Sequence, residues 1–560
     1  MEKFWRVAEP AQALIDHLSR VLGIAPLVAA LLVNRGLDDP EQARDFLFPD
    51  LIDLHDPFLF KDMKKIVARI HEARQTNERV LIFGDYDVDG VTSCAVLYKV
   101  LTGMGLEVIN HIPHRVDDGY GLSCGIGEFA RENKITLMIA VDCGVTAFAA
   151  VEYFNSLGME VIIIDHHEPD SRQLPNAFAI IDPKISNSGY PFRDLAAVGL
   201  AAKVAEALTG KRDAEIMDLT TLGTVADVVP LKGENRIIVK HGLGRMARTA
   251  NYGLAALMEL AKLNTKKLTP YHIGFVLGPR INAAGRMDSA HSSLDLFLSE
   301  TPDTAFALAR ELEAHNQERQ KTQRAIVQEA IAIVEESGRF QEDKVIVLSK
   351  EGWHKGILGI VASKISEKYY RPAIVISLKD GIGTASGRSV DGFHLQKALQ
   401  SCAACLDAFG GHEGAAGLTI RAENIDPFRD LINQVAADVL IRNKMTPTLD
   451  IDGQVELSRI NMDLVKMVET MEPFGEGNPS PVFCSTQLRL KGAPRVLAKD
   501  TLKFWVTDGQ VSLSAVGFGM GKYASLLAAQ PQFDLAYEAA IDDWNKPPSV
   551  QLVIKDIRFA

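Results

Sequence analysis

Val80-Leu81-Ile82-Phe83-Gly84-Asp85-Tyr86-Asp87-Val88-Asp89-Gly90 is the stretch on which the reading of the chain turns. Its four leading apolar residues make a short continuous run, as expected for a strand buried on both faces. Three acids at alternate positions and a glycine follow at once. The arrangement recurs downstream. Ile135 to Val141 is a second apolar run and ends in Asp142-Cys143-Gly144. Val161 to Ile164 is a third and ends in Asp165-His166-His167, and Phe178 to Ile181 is a fourth. Helical patterns lie between them, and Val225-Ala226-Asp227-Val228-Val229-Pro230 adds another acid after a helical stretch. Buried strands alternating with helices predict a parallel sheet covered by helices. In an open parallel sheet, ligands bind outside the carboxyl ends of the strands.

Gathering these acids in one crevice is costly, because like charges at short range raise one another's pKa. A divalent cation removes the cost. Asp85, Asp87, Asp89, Asp142 and Asp227, with the neutral imidazole of His166, form an oxygen-rich set. Such a set suits Mn²⁺ or Mg²⁺ better than a thiolate-preferring ion. Five carboxylates roughly balance two dications, and two metals can clamp the attacking and leaving oxygens of a phosphoryl displacement. The residues alone point to phosphoester hydrolysis. The competing reading of Asp-x-Asp-x-Asp-Gly is an EF-hand calcium loop. A buried strand precedes it, however, and Val96 stands at the twelfth position, where that loop needs an acid. Taken singly, Asp142 or Asp227 would be a turn or capping residue; the set gives them weight.

Working outward, residues 1–65 read as a helical leader broken by Asp-Pro and Phe-Pro turns, and 66–298 as the parallel-sheet domain. Thr301-Pro302 has the pattern of an N-cap and first helical residue. A long helix should follow to about Ser337, making 299–340 a connector. Its middle, His315 to Arg324, has no apolar side chain, and a helix polar all round tends to bridge domains through solvent. A smaller α/β unit over 341–442 has strands at Val345–Leu348, Ile374–Leu378, Ile382–Ser386 and Ala416–Ile420. Residues 443–560 show short alternating runs such as Leu488–Leu490 and Leu552–Ile554, as in a small β-barrel or sandwich. There Arg489, Lys491, Arg495, Lys499 and Lys503 precede Phe504 and Trp505. Basic residues beside aromatics suit a single-strand surface, where phosphates meet cations and bases stack. Strand alternation turns one of the two aromatics inward and leaves one free to stack.

The 560-residue chain is 47% hydrophobic and 24% charged, a globular balance that supports real cores. A net charge of −12 argues against a generic nucleic-acid coat, but not against a nuclease whose metal-holding acids count toward the total. No apolar run reaches the roughly 18 residues of a membrane helix. The longest candidate, Leu22 to Val33, contains Pro26. The start lacks the basic segment and cleavage site of a signal peptide, and six scattered cysteines make no disulfide framework. A cytoplasmic protein without a membrane association is expected. Cys402 and Cys405 form a single Cys-x-x-Cys at helical spacing in an Ala-rich stretch, which favours core packing over zinc or redox chemistry.

Asp165-His166-His167, with Asp85-x-Asp87-x-Asp89 upstream, resembles the DHH phosphoesterase superfamily, and all four of its motifs are present in order. Gly410-Gly411-His412-Glu413-Gly414-Ala415-Ala416-Gly417 resembles the glycine-rich motif of the DHHA1 domain. Gly352-Trp353-His354-Lys355-Gly356-Ile357-Leu358-Gly359 is similar to the corresponding segment of the RecJ exonuclease family, and that match spans nearly the whole chain.

The resemblance implies an α/β fold: a parallel-sheet DHH domain over 66–298, a long connecting helix, a smaller α/β DHHA1 domain over 341–442 and a C-terminal OB-like β-barrel over 443–560. It implies that Asp85, Asp87, Asp89, Asp142, His166 and Asp227 hold two Mn²⁺ or Mg²⁺ ions, with Asp142 as the bridge. Asp165 would orient the histidines, and His167 would lie beside the scissile phosphate. Arg115, in the segment Pro113 to Gly121, would hold a terminal 5′-phosphate together with Ser386 and Arg388. Arg280, Asn282 and Arg286, in the basic, glycine-punctuated loop Gly278 to Met287, are candidate DNA contacts, as are His412, Lys503 and Trp505. The implied activity is 5′ to 3′ hydrolysis of single-stranded DNA to 5′-mononucleotides, in repair and recombination. The implied partners are single-stranded DNA, a single-strand-binding protein and a helicase, around a monomeric enzyme. Three rivals use the same motifs. A short-oligonucleotide or cyclic-dinucleotide phosphodiesterase would not need the connector or the last domain. A non-catalytic helicase scaffold would have lost the acids. A polyphosphatase would show more lysine and arginine around the crevice.

Overall fold

The structure, a computed structural model, describes residues 3–114, 121–263, 267–287, 289–339, 342–440, 446–543 and 546–559. Arg115 of the expected phosphate site lies outside the described residues. The chain forms two compact units. One comprises His55–Asp227 and Gly242–Thr446; the other comprises Met1–Leu54, Val228–His241 and Pro447–Ala560.

The first unit opens with strands β1 (Arg79–Phe83), β2 (Glu107–His111), β3 (Ile135–Val141), β4 (Glu160–Ile164) and β5 (Ala179–Ile181). They pair in the order β2-β1-β3-β4-β5, every pair parallel. The apolar runs are buried on both faces, as their composition requires: Val80 to Phe83 and Leu137 to Val141 are inaccessible or nearly so. β2 is absent from the sequence reading because Glu-Val-Ile-Asn-His is a half-polar edge strand, partly exposed along its length. The strand order reverses between β1 and β3, and such a switch point leaves a crevice at the carboxyl ends. Asp85 and Asp142 follow those two strands.

Helix α1 (Val88–Gly103) leaves the acidic loop under the cap of Asp87, whose Oδ1 accepts the backbone N–H groups of Asp89 and Gly90 at 2.9 and 3.1 Å. Gly90 permits the tight turn: a Cβ there would lie 2.5 Å from the Asp85 carbonyl oxygen. Helices α2 (Ala197–Thr209) and α3 (Ala214–Ala226) pack on α1, and α3 delivers Asp227 at its end. Residues 278–287, read from the sequence as a loop, form helix α4 (Gly278–Met287), entered from a π-helical turn at Ile273–Leu277. Its glycines serve close packing rather than a turn. A Cβ on Gly285 would lie 3.1 Å from the Tyr86 carbonyl oxygen, so α4 crosses directly over the acidic loop.

Helix α5 (Pro302–Ser337) runs for 36 residues from an N-cap at Thr301, whose hydroxyl accepts the Thr304 N–H at 3.3 Å. It packs on α4, and farther along Ile326, Ala330 and Val334 enter the core of the second α/β domain. Its polar middle does not run through solvent as expected, because Asn316 and Arg319 are buried. The second sheet comprises β6 (Ile346–Glu351), β7 (Ala373–Lys379), β8 (Ile382–Arg388), β9 (Ala408–Gly411) and β10 (Ala415–Arg421), in the order β9-β10-β8-β7-β6. Only the β6–β7 pair is parallel. Helix α6 (Leu358–Tyr369) packs on β7 and β8. Cys402 is a core residue and neither it nor Cys405 is in a disulfide.

In the other unit, strands β11 (Phe483–Leu490), β12 (Arg495–Leu497), β13 (Thr501–Thr507), β14 (Ser512–Gly517), β15 (Phe533–Asp542) and β16 (Ser549–Phe559) build a barrel. Pairing runs β11-β15-β16-β14-β13 and closes through β13 with β11, while β12 extends the sheet beside β13. The leader helices Gln12–Leu22, Pro26–Asn34 and Pro40–Leu47 share this barrel's core, with Leu18, Leu31 and Leu32 buried alongside Phe504 and Leu535. Among the described residues no single helix is long and apolar enough to cross a membrane, and the Leu22–Val33 run spans a break between helices bent by 119°. The short piece 228–241 is tied in by Arg236. Its fully buried guanidinium donates to the carbonyl oxygens of Phe46, Met471 and Glu472 at 2.7–3.0 Å and lies 3.7 Å over the Phe46 ring.

Candidate metal centre

The crevice at the switch point brings together the acids that the sequence singled out. Three groups of potential ligand atoms each fall within 4.8 Å: Asp85, Asp87 and Asp142; Asp142, His166 and His167; and Asp89, His166 and Asp227. Asp142 and His166 each belong to two of them. Asp142 follows β3 with φ 61°, a left-handed backbone that Asp tolerates better than most residues and that costs about 1–2 kcal/mol.

His166 Nε2 lies 3.3 Å from Asp142 Oδ1, 3.6 Å from Asp227 Oδ2 and 3.8 Å from Asp89 Oδ2. Among the described residues neither the imidazole nitrogen nor Asp227 Oδ2 has a hydrogen-bond partner, although both atoms are buried. Buried polar atoms that converge without bonding one another suit a shared cation. Oxygen or nitrogen ligands at roughly 2.1 Å from one octahedral ion sit about 3–4 Å apart. The donor set therefore fits Mn²⁺ or Mg²⁺.

The electrostatics agree. Burial first, and then the neighbouring carboxylates, push Asp142 well above the carboxylate range. The same causes raise Asp227 to about 9, with Asp89 and Asp87 as the charged neighbours. Asp89 rises to about 7 through burial and Asp87, opposed by two backbone hydrogen bonds. Burial drives His166 down to about 3, which keeps its imidazole neutral and able to ligate. Both oxygens of Asp89 are engaged by the chain. They accept the N–H groups of Ala197 and Val198 at 2.7 and 2.8 Å, so Asp89 also holds the start of α2 against the centre.

Asp165 organises the turn that carries both histidines. Its Oδ1 accepts the backbone N–H groups of His166 and His167 and bonds His167 Nδ1 at 2.7 Å, while Oδ2 accepts Val145 N–H. Burial is the largest single influence on His167 and lowers it, but the hydrogen bond and the charge of Asp165 together outweigh burial and raise it. With its side chain 39% exposed, His167 can reach a ligand in the crevice. The sequence reading stopped short at the fourth strand. β5 is followed by Asp182-Pro183-Lys184, where Asp182 is buried, has no partner for Oδ2 among the described residues and is raised to about 7 by burial. After burial, which dominates at each, Lys184 adds positive charge that lowers His166, His167 and Asp227. Applying the strand-end rule to this fourth run would have found both.

In the second domain Ser386 and Arg388 converge on the first turn of α6. Arg388 Nη1 donates to Ser386 Oγ at 3.1 Å. A Cβ on Gly359 would lie 2.8 Å from Arg388 Nη2 and 3.1 Å from Ser386 Oγ. An arginine, a hydroxyl and a side-chain-free helix start together suit a phosphate. Gly359 is thus a member of this group that was quoted from the sequence only as part of a motif. His412 is exposed at the β9–β10 hairpin, in the chain segment whose Gly414 oxygen accepts Ser389 N–H. Arg280 is committed to Glu313 of α5 at 2.6 Å and to the Val276 carbonyl, so it locks α4 to α5. Arg286 Nη1 donates to the Gly356 carbonyl across the domain junction, and Asn282 lies one turn before it. In the barrel, Phe504 is the inward aromatic, while Trp505 is 50% exposed on the same face of β13 as Lys503.

Acids and paired histidines at the ends of a reversing parallel sheet, joined by a long helix to a second α/β domain, define the DHH class with a DHHA1 domain. Residues 79–224 match the DHH family, N-terminal domain, residues 342–438 the DHHA1 domain and residues 451–556 the RecJ OB domain. The chain is 38% identical over 555 residues to the single-stranded-DNA-specific exonuclease RecJ of Bacillus subtilis, covering 99% of this chain and 70% of that one. It is 34% identical to the Haemophilus influenzae protein of the same name, covering 88% and 90%. The crystal structure of Thermus thermophilus RecJ in complex with Mn²⁺ superposes with a TM-score of 0.85 at 28% identity, covering all of this chain and 80% of that one. The chain belongs to the RecJ family.

Proposed function

We propose that the chain is a metal-dependent exonuclease that degrades single-stranded DNA from its 5′ end to 5′-mononucleotides, in DNA repair and recombination. The observation that carries this reading is the convergence of potential metal ligands around Asp142 and His166 in a chain whose RecJ relatives are named as single-stranded-DNA-specific exonucleases. Two Mn²⁺ or Mg²⁺ ions would be held by Asp85, Asp87, Asp89, Asp142, His166 and Asp227, with Asp142 shared between them. Bound there, the ions would supply positive charge at the attacking and leaving oxygens of the phosphodiester.

The chain's own groups do the rest. Asp165 fixes the His167 ring through Nδ1, and from that orientation the imidazole would face the scissile phosphate and steady its developing charge. Ser386, Arg388 and Gly359 would receive the terminal 5′-phosphate. Lys503 and Trp505 offer the following strand a cation and a stacking face. A cytoplasmic monomer served by a single-strand-binding protein and a helicase completes the proposal, since both partners present open strand.

The test is degradation of 5′-labelled and 3′-labelled oligonucleotides, single-stranded and as blunt duplex, in Mn²⁺, Mg²⁺ or chelator. Mononucleotide should appear early from the 5′-labelled single strand, only with metal, and Asp142→Ala should lower the rate at least about 10³-fold. Cleavage of dinucleotides alone, or of duplex at an equal rate, would overturn the reading.

A further inference from the structure

The polar middle of α5 has no part in the function proposed above, yet two of its side chains, Asn316 and Arg319, are buried. Asn316, Arg319 and Gln323 lie at positions i, i+3 and i+7 and share one helix face. Arg319 opens on a cavity of about 220 Å³ that is also lined by Asn282 and Arg286 of α4, Ala226 at the end of α3 and Ile360 in the first turn of α6.

Arg319 is only 8% exposed. Its Nη2 donates to Asn316 Oδ1 and its Nη1 to Gln323 Oε1, both at 2.8 Å, and its Nε has no partner among the described residues. Both acceptors are neutral amides. The carboxylate of Glu313, earlier on the same helix, is taken by Arg280 at 2.6 Å. A buried guanidinium without a counter-charge is costly, and a second cation nearby makes it more so. Such a group is set for an incoming anion.

The surroundings say which anion. On one side the cavity reaches Ala226, the neighbour of metal ligand Asp227; on the other it reaches Ile360, the neighbour of Gly359 in the Ser386–Arg388 cradle. It lies between the two places where an exonuclease must hold its substrate's first nucleotide. We infer that Arg319 is a substrate-binding residue that grips a phosphate oxyanion of the 5′-terminal nucleotide, with Asn282 beside it. The oxyanion is that of the terminal phosphate or of the first phosphodiester. Asn316 and Gln323 are positioning residues that aim the guanidinium. The inference rests on the exonuclease reading.

The test measures binding in chelator, where no cleavage occurs, of three single-stranded oligonucleotides: 5′-phosphorylated, 5′-hydroxyl, and 5′-phosphorylated with a neutral methylphosphonate at the first linkage. Wild type should lose roughly 10- to 100-fold in affinity on losing the gripped phosphate's charge. Arg319→Met should bind the parent strand that much more weakly and be indifferent to the same change, and the arm that loses its effect names the phosphate. Arg319→Lys should recover part of the affinity. If the methionine variant does not fold, the lysine variant carries the test, with inorganic phosphate raising the melting temperature of wild type more than that of Arg319→Lys. Equal ratios among the three strands in wild type and variant would overturn the inference. Failure of wild type to bind or degrade single strands would instead overturn the exonuclease reading.

Discussion

At the scale of single residues, the centre is a set of carboxyls that cannot all be charged together without a cation. In the metal-free protein Asp89 titrates near 7 and Asp227 near 9, so at neutral pH a metal must displace protons to enter. Affinity for Mn²⁺ should therefore fall at least about tenfold for each pH unit lowered between 9 and 7, and more steeply below. Titration calorimetry in buffers of different ionisation enthalpy should detect the released protons, and an identical heat in each buffer would refute the assignment. The sign for stability follows. These carboxyls have folded pKa values raised above the unfolded value of about 3.9, so the folded apo protein binds the extra protons. Its stability should decline as pH climbs through 7 and toward 9, and metal should cancel the decline. Melting curves with chelator and with Mn²⁺ at pH 6, 7.5 and 9 check this. The candidate ligands that converge in the crevice could be picked out of the sequence because each stands next to a strand end or a helix end. Asp182 and Lys184 follow the same rule but lack a flanking motif to draw attention to them.

At the scale of elements, the legible parts were those whose burial is continuous. β1, β3 and β4 each carry a continuous buried apolar run, and their positions follow from it. Edge strands β2 and β9 were missed because every residue in them is at least partly exposed. α4 was misread because Gly278 and Gly285 resemble loop punctuation, whereas they let the helix press on the acidic loop. The middle of α5 was misread because a polar sequence does not reveal whether its partner is water or a buried cavity. The first turn of α6 gives an element-scale prediction. A methyl group on Gly359 would crowd Arg388 and Ser386, so Gly359→Ala should cut the preference for 5′-phosphorylated over 5′-hydroxyl strands about tenfold while Mn²⁺ binding stays unchanged. Competition between the two strands reads it, and an unaltered preference would remove this turn from the phosphate site.

At the scale of the whole molecule, the domain succession is as the motifs suggested, but the leader does not stand alone. Its helices complete the core beneath the barrel, which no local pattern in residues 1–54 could announce. Arg236 ties that unit together by satisfying carbonyls of two other segments. Arg236→Met should destabilise the unit by about 3 kcal/mol, since several buried acceptors lose their donor together. The change should appear in denaturant unfolding followed through Trp5 and Trp505, and an unchanged midpoint would show that the guanidinium is dispensable.

The three-piece construction of that unit also has a consequence for biosynthesis. A ribosome releases residues 1–54 first, but their apolar faces find their partners only when residues from 447 onward emerge, about 390 residues later. At about 5–20 residues per second the wait is roughly 20–80 s. During that interval the other unit can form while the nascent leader stays a client for chaperones. A message truncated before codon 447 yields a product whose opening helices never acquire a core.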